Sequence, residues 1–212
     1  MAQYGITTGC GSNDFCPNDN VTRDEMAIFI VRAIYGSDNF TYTTTPYFTD
    51  VTPTTFGFKW IQKLKNLGIT SGCTGTTYCP TNVVTRDEMA IFIIRARLGV
   101  SIAGPSPAFT YSTTPYFTDA TAANEFAFPW IQRMKLENIT TGCTGTAYCP
   151  TNPVTRGEMA IFIMRGAFNQ FLPASRCETT KASSAIDRFC LMMMGSYFER
   201  RRKRATLLFR SS

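Results

Sequence analysis

Three segments of the chain repeat one pattern of apolar positions at helical spacing. In the first segment Met26, Phe29, Ile30 and Ala33 form an apolar stripe. The stripe returns 63 residues later, beginning at Met89, and again 70 residues after that. This spacing predicts an amphipathic helix in each segment, and such self-similarity indicates a repeat protein.

Each of these helices begins with the same signal. A threonine is followed three residues later by a glutamate, the spacing of a capping box that satisfies free N–H groups at a helix N-terminus. The predicted caps are Thr22 with Glu25, Thr85 with Glu88, and Thr155 with Glu158. The sequence therefore predicts three helix starts.

A further stretch, here called the leading block, precedes the stripe in the later two copies. It opens with Pro-Tyr-Phe-Thr-Asp, ending at Asp50 or Asp119, and continues to Trp-Ile-Gln, starting at Trp60 or Trp130. The first copy lacks the leading block. We therefore expect the first copy to be half a repeat.

The leading block also has helical spacing. Its apolar residues predict a helix from about Thr55 to Leu67. Gly68 follows, and Asn138 takes its place in the next copy; both residue types suit the left-handed backbone of a helix end. The prediction is a mainly α protein of helix-loop-helix repeats at 1–36 (partial), 46–99 and 115–170.

Positive charge is confined to the end of the chain. The formal net charge is +6, and residues 171–212 hold nine Lys or Arg against three Asp or Glu, which leaves twelve of each sign in residues 1–170. A neutral body gives no electrostatic argument for nucleic-acid binding. Residues 171–212 abandon the repeat and include the basic run Arg200–Arg204. They are typical of a basic, disordered tail, and contact with anionic lipid or polymer is the alternative.

Six of the eight cysteines lie in pairs with five intervening residues. Zinc pairs usually have shorter spacing, and the chain has no histidine to complete a mixed site, so disulfides are favoured over metal. The predicted bonds are Cys10–Cys16, Cys73–Cys79 and Cys143–Cys149; the pairing of Cys177 and Cys190 stays open. Disulfides indicate an oxidising compartment.

No apolar run approaches the roughly 18 residues that a spanning helix needs. Residues 1–9 lack the basic start and apolar core of a signal peptide. Because the cysteines indicate export, we expect the chain to be a fragment or mature form of a longer exported protein.

The order Phe-x-Asp, Trp, Gly-Ile-x-x-Gly, Pro and Val-Thr-Arg-x-Glu-Met-Ala resembles the S-layer homology repeat over residues 4–36, 46–99 and 115–168. The resemblance implies a compact pseudo-threefold bundle that docks surface proteins onto cell-wall glycopolymers. It also implies ligand grooves between repeats, to which the Thr-Arg-x-Glu segment contributes. The chain departs from the family in its missing first helix, in its cysteine pairs, and in Asp24, Asp87 and Gly157 at a position that is often alanine.

The resemblance makes several residues candidates for a glycan site. Arg23, Arg86 and Arg156 stand in the first turn of a helix, where a guanidinium and free N–H groups suit an anionic sugar substituent; local pairing with an acid such as Glu25 is the alternative. Trp60 and Trp130 are candidates for stacking on sugars, with core packing as the alternative. For Asp50 and Asp119, capping of the loop is weighed against accepting sugar hydroxyls.

Catalysis has little support in the sequence. No histidine is present for a Ser-type triad, no phosphate-binding glycine loop occurs, and the repeated glutamate is explained as a cap. A glycosidase carboxylate pair stays open, with no acids to assign to it. We expect a non-catalytic cell-surface protein, without cofactor or metal, that anchors to envelope polysaccharide.

The alternative is a structural protein that assembles with identical subunits in an extracellular layer or filament. In that case a neighbouring chain completes the truncated first copy, whose Met26, Phe29 and Ile30 would otherwise be exposed.

Overall fold

The computed structural model describes residues 1–11, 13–99 and 109–167, and this part of the chain is helical. Its α-helices are α1 (Arg23–Tyr35), α2 (Phe58–Asn66), α3 (Arg86–Leu98), α4 (Phe128–Leu136) and α5 (Arg156–Ala167), preceded by a short 3-10 helix at Ala2–Tyr4. The described ranges contain isolated β-bridges and no named strand. The mainly α prediction is confirmed. The predicted tail, with Cys177 and Cys190, lies outside the described residues.

Capping boxes start the helices that carry the apolar stripe. Thr22 and Glu25 form one at α1, and Thr85 and Glu88 form one at α3. At α5 the Thr155 N–H donates to the Glu158 carboxylate at 3.1 Å, and the Glu158 N–H donates to the Thr155 hydroxyl at 3.3 Å. The carboxylate and hydroxyl together satisfy backbone donors that the helix itself leaves free.

The helices of the leading blocks start later than the apolar spacing predicts. The Thr55 hydroxyl accepts the Thr52 N–H at 2.8 Å, which closes a turn before the helix. Gly57 then takes a left-handed backbone with φ of 75°, so α2 begins at Phe58 rather than near Thr55. At the other end Gly68 and Asn138 have φ of 72° and 57°. These values belong to the left-handed region, which glycine and asparagine tolerate best.

Each leading-block helix packs on the stripe helix of the copy before it. The α2 helix packs on α1, and α4 packs on α3, while α5 contacts α1 and α3. As a result the apolar stripe of copy one is covered: Met26, Phe29 and Ile30 are 0%, 5% and 2% exposed. The expectation that these residues are exposed is wrong. Within the described residues it is α5 that has no leading-block helix against it.

Three valines join the copies in cyclic order. The Val84 N–H donates to the Val21 carbonyl, the Val154 N–H to the Val84 carbonyl, and the Val21 N–H to the Val154 carbonyl, each at 2.9 Å. All three valine side chains are fully buried. The backbone hydrogen bonds therefore close a ring in which copy one contacts copies two and three.

Candidate functional site

Arg23 lies at the boundary between copies one and two and is almost fully buried. Its Nε donates to the Tyr78 carbonyl at 2.8 Å, and its Nη1 donates to Glu88 Oε1 at 2.7 Å. The Tyr78 hydroxyl donates in return to the Arg23 carbonyl at 2.6 Å. The guanidinium also lies 5.1 Å from the Tyr78 ring centroid and 5.4 Å from that of Phe92. Charge pairing and ring contacts together compensate the burial of the cation.

The same arrangement recurs between copies two and three. Arg86 donates to the Tyr148 carbonyl at 2.8 Å and to Glu158 at 2.7 Å, and the Tyr148 hydroxyl donates to the Arg86 carbonyl at 2.7 Å. Both arginines therefore pair with a glutamate of the following copy. The local alternative, pairing with an acid of the same turn, is not what the structure contains.

The boundary between copies three and one is weaker. Arg156 donates to the Phe15 carbonyl at 2.9 Å, and its ion pair with Glu25 is 3.4 Å long. Phe15 stands where the other copies have tyrosine, so no tyrosine hydroxyl is present at this boundary to donate to the Arg156 carbonyl. One buried nitrogen, Nη2, of Arg156 and of Arg86 has no hydrogen-bond partner among the described residues.

A cavity of about 260 Å³ opens beside Arg23. Its lining mixes charged, amide, hydroxyl and aromatic groups: Arg23, Cys73, Asn82, Val83, Thr85, Asp87, Glu88 and Phe126. Ligand pockets commonly combine an apolar surface with a few convergent polar groups, as here. The cavity therefore draws on copies one and two and on the leading block of copy three.

Two of the lining residues offer complementary surfaces. Phe126 is 66% exposed, although it immediately precedes the buried Ala127 and Phe128. One oxygen of Asp87, Oδ1, accepts the Thr85 hydroxyl and the Glu88 N–H. An aromatic face beside carboxylates suits a ligand that has both an apolar face and hydroxyl donors.

The tryptophans do not line this cavity. Trp60 is half-buried beneath Lys59 and Arg32, whose charged groups lie 4.3 Å and 5.3 Å from its ring centroid. The Trp60 indole N–H donates to Asp38 at 3.3 Å, and the Arg32 hydrogen bonds hold the pKa of the Asp38 carboxyl below its usual value. Trp130 packs edge-on against Phe109 and under Arg95. Both indoles serve helix packing in this structure.

The repeated aspartates bind the disulfide loops. Asp50 accepts the N–H groups of Tyr78 and Cys79 at 2.8 Å and 2.7 Å. Asp119 accepts those of Tyr148 and Cys149, both at 2.7 Å. Each carboxylate thus fastens a leading block to the loop of its own copy, instead of capping its helix.

Disulfides close all three loops. Cys10–Cys16, Cys73–Cys79 and Cys143–Cys149 are bonded, with Cα atoms 5.9–6.1 Å apart. The disulfide prediction is confirmed. Cys73 also lines the cavity, so the second loop forms part of its wall.

Sequence reasoning missed Asn82, Asp87 and Phe126 as members of the site. An available signal was the repeated Phe56 and Phe126, which interrupt the apolar pattern at the same place in both leading blocks. Phe56 is 65% exposed and Phe126 is 66% exposed. An exposed aromatic residue at a repeated position indicates binding more directly than a tryptophan on a helix face does.

Metal-binding clusters and membrane-spanning helices are both absent from the described residues. No cluster of three or more His, Cys, Asp or Glu side chains there could hold a metal ion. No helix in the same ranges is long and apolar enough to cross a membrane.

Comparison with known proteins matches parts of copies one and two to one family. The family model of the S-layer homology domain matches residues 1–27 and 47–90. An endoglucanase of Bacillus sp. (strain KSM-635) is 25% identical over 165 residues, which cover 76% of this chain. The chain spans 16% of the length of that relative. The S-layer homology domain is a cell-surface anchoring domain that binds envelope polysaccharide. Two segments of the chain, residues 1–27 and 47–90, thus match the S-layer homology domain, and the first of them carries no leading block.

Proposed function

We propose that this chain is a non-catalytic anchor that binds envelope polysaccharide in the cavity between copies one and two. The observation that carries the proposal is the cavity itself, which places the exposed Phe126 beside Asn82, Asp87 and Glu88. A sugar ring packs its apolar face on the aromatic side chain and donates its hydroxyls to the carboxylates.

In this proposal Arg23 positions the site and does not clamp an anion by itself. Its side chain is 3% exposed, and Glu88 already neutralises it at 2.7 Å. With Asp87 in the lining, the cavity carries two carboxylates and one guanidinium. Neutral hydroxyl-rich segments of the polymer fit this balance better than densely anionic ones, because like charges would meet Asp87.

Co-sedimentation of the full chain with purified envelope polysaccharide tests the proposal. Phe126→Ser is expected to weaken binding at least tenfold, because the aromatic platform is lost. Leu136→Ser is the matched control, since Leu136 is 49% exposed on α4 and does not line the cavity. Equal binding by both variants would contradict the proposed site.

Two further measurements distinguish anchoring through the cavity from polycation attraction and from catalysis. Replacing Arg200–Arg204 by serines in the full chain should leave binding unchanged; binding that needs this run and fades steeply with salt would be polycation attraction. Release of reducing ends from a soluble β-glucan by the purified chain would contradict the non-catalytic part of the proposal.

A further inference from the structure

The covered face of α1 is the face that contacts the leading block of copy two, which includes α2. A Cβ atom at Gly57 would lie 3.3 Å from the Cβ of Asp24, and the Arg32 guanidinium lies over the Trp60 ring. Positions 24, 28, 31 and 32 therefore share the helix face that α2 covers. Ile28 is 7% exposed on this face, and Val31 is fully buried.

The corresponding face of α5 is open. The residue equivalent to Ile28 is Ile161, which is 48% exposed. Val31 and Ile94 are fully buried on α1 and α3, whereas their equivalent Met164 is partly exposed. An apolar stripe that is covered twice in one molecule and uncovered once marks a missing neighbour.

Arg165 supports the same conclusion. Its equivalents Arg32 and Arg95 lie 5.3 Å and 5.6 Å from the ring centroids of Trp60 and Trp130. Arg165 and Arg95 each donate to the carbonyl of an isoleucine, at 3.3 Å and 3.2 Å. However, Arg165 is exposed, and no described aromatic ring lies against it. Arg165 is thus available to stack on a tryptophan ring, as its equivalents do.

The first disulfide loop lacks a contact that the other two loops have. In copies two and three the leading-block aspartate accepts two adjacent amides, Tyr78 with Cys79 and Tyr148 with Cys149. In copy one the equivalent amides belong to Phe15 and Cys16, and no described carboxylate accepts them. The helix and the aspartate that are missing both belong to one leading block.

We propose that α5 and the Phe15–Cys16 amides together form a docking site for one further leading block, which the described residues do not supply. The partner presents an aromatic-x-Asp turn followed by an amphipathic helix with Trp-Ile-Gln, as residues 117–132 of this chain do. Its aspartate caps the Phe15 and Cys16 amides, its tryptophan stacks on Arg165, and its apolar face covers Ile161 and Met164. A second copy of this chain fits less well, because its own leading blocks already pack on α1 and α3.

Fluorescence anisotropy of a labelled peptide of residues 113–138, titrated with the full oxidised chain, tests the docking site. We expect saturable one-to-one binding that weakens at least tenfold with Ile161→Glu in the chain. The peptide variants Trp130→Ala and Asp119→Asn should each weaken binding several-fold, since they address the α5 face and the Phe15–Cys16 amides separately. Leu136→Glu in the chain is the matched control, because Leu136 is equally exposed at 49% on another helix.

Three outcomes would overturn the proposal. They are absence of binding, equal binding by the Ile161→Glu chain, and chain dimers that dissociate in Ile161→Glu but do not respond to the peptide. The last result would make the face an interface between identical copies. Circular dichroism checks that Ile161→Glu is folded, and Met164→Gln replaces it if it is not.

Discussion

Glu88 joins two structural tasks, because one of its oxygens binds Arg23 of the preceding copy and the other caps its own helix. Oε1 lies 2.7 Å from Arg23 Nη1, and Oε2 accepts the Thr85 N–H at 3.3 Å. The cap of α3 and the boundary between copies one and two therefore depend on a single carboxylate. Folding of a repeat and attachment to its neighbour are coupled by this residue.

The double role predicts an order of stability losses. Thr85→Ala should reduce the free energy of unfolding by about 1 kcal/mol, the usual effect of losing an N-cap. Glu88→Gln should cost about 2 kcal/mol, because glutamine still closes the cap but leaves the buried Arg23 without its counter-charge. Urea denaturation measures both values.

A matched control exists at the weaker boundary. Glu25→Gln should cost less than Glu88→Gln, since the Arg156–Glu25 pair is 3.4 Å long. If Glu88→Gln cost no more than Glu25→Gln, the shorter Arg23–Glu88 ion pair would add no stability at its boundary.

The tyrosine at the copy boundary gives a second prediction. Tyr78→Phe removes the hydroxyl that donates to the Arg23 carbonyl and should cost about 1.5 kcal/mol. Phe15→Tyr places the same hydroxyl near the Arg156 carbonyl and should raise the free energy of unfolding by about 1 kcal/mol. Thermal or urea unfolding measures both changes in the free energy of unfolding. Changes of opposite sign support the equivalence of the boundaries, and destabilisation by Phe15→Tyr would contradict it.

Alkaline pH should destabilise the protein through the same tyrosines. Burial raises the pKa of Tyr78 and Tyr148 well above the ordinary value near 10, with the neighbouring arginines opposing the shift. The stability that each contributes is present below pH of about 10 and decreases above it, because the unfolded chain then releases a proton that the folded chain keeps. The expected slope is about 1.4 kcal/mol per pH unit for each tyrosine.

The difference in the free energy of unfolding between the wild type and Tyr148→Phe isolates the effect of this tyrosine from the titration of lysines. Tyr148→Phe should be less stable than the wild type at pH 8, and the gap should narrow as pH rises above 10. A gap that is constant between pH 8 and pH 11 would show that Tyr148 ionises as readily in the folded state as in the unfolded chain.

Local features were predictable from sequence because they depend on neighbours a few residues away. The spacing of Thr85 and Glu88, and of Cys73 and Cys79, is sufficient to indicate a cap and a closed loop. The partner of Arg23 was not predictable, because Glu88 is 65 residues away and lies in a different copy. Periodicity shows that residues are equivalent; it does not show which copy they contact.

Helix pairing was misjudged for the same reason. The apolar spacing identifies the face of α1 that is buried, but the covering helix, α2, belongs to the next copy. The open surface is therefore on α5, at Ile161, and not on α1. Gln62 illustrates the same limit: it is fully buried because its side chain binds Thr43, Thr45 and Tyr47 of the preceding loop.

The final prediction separates the structural and binding roles of the disulfides. Replacing both Cys73 and Cys79 by serine opens a short loop and should cost about 2 kcal/mol in the chain-entropy account. The same replacement at Cys143 and Cys149 should cost a similar amount, because the two loops have the same length and the same aspartate contacts.

Glycan binding should distinguish the two double variants. Cys73 lines the cavity beside Arg23, whereas Cys143 and Cys149 are not part of its lining. Below the unfolding transition, the Cys73→Ser/Cys79→Ser chain should therefore bind polysaccharide several-fold more weakly than the Cys143→Ser/Cys149→Ser chain. Intact mass before and after reduction confirms that each variant keeps its other bonds. Equal binding at equal stability would show that the second loop does not contribute to glycan binding. The binding would then depend on Phe126 and the carboxylates of copy two.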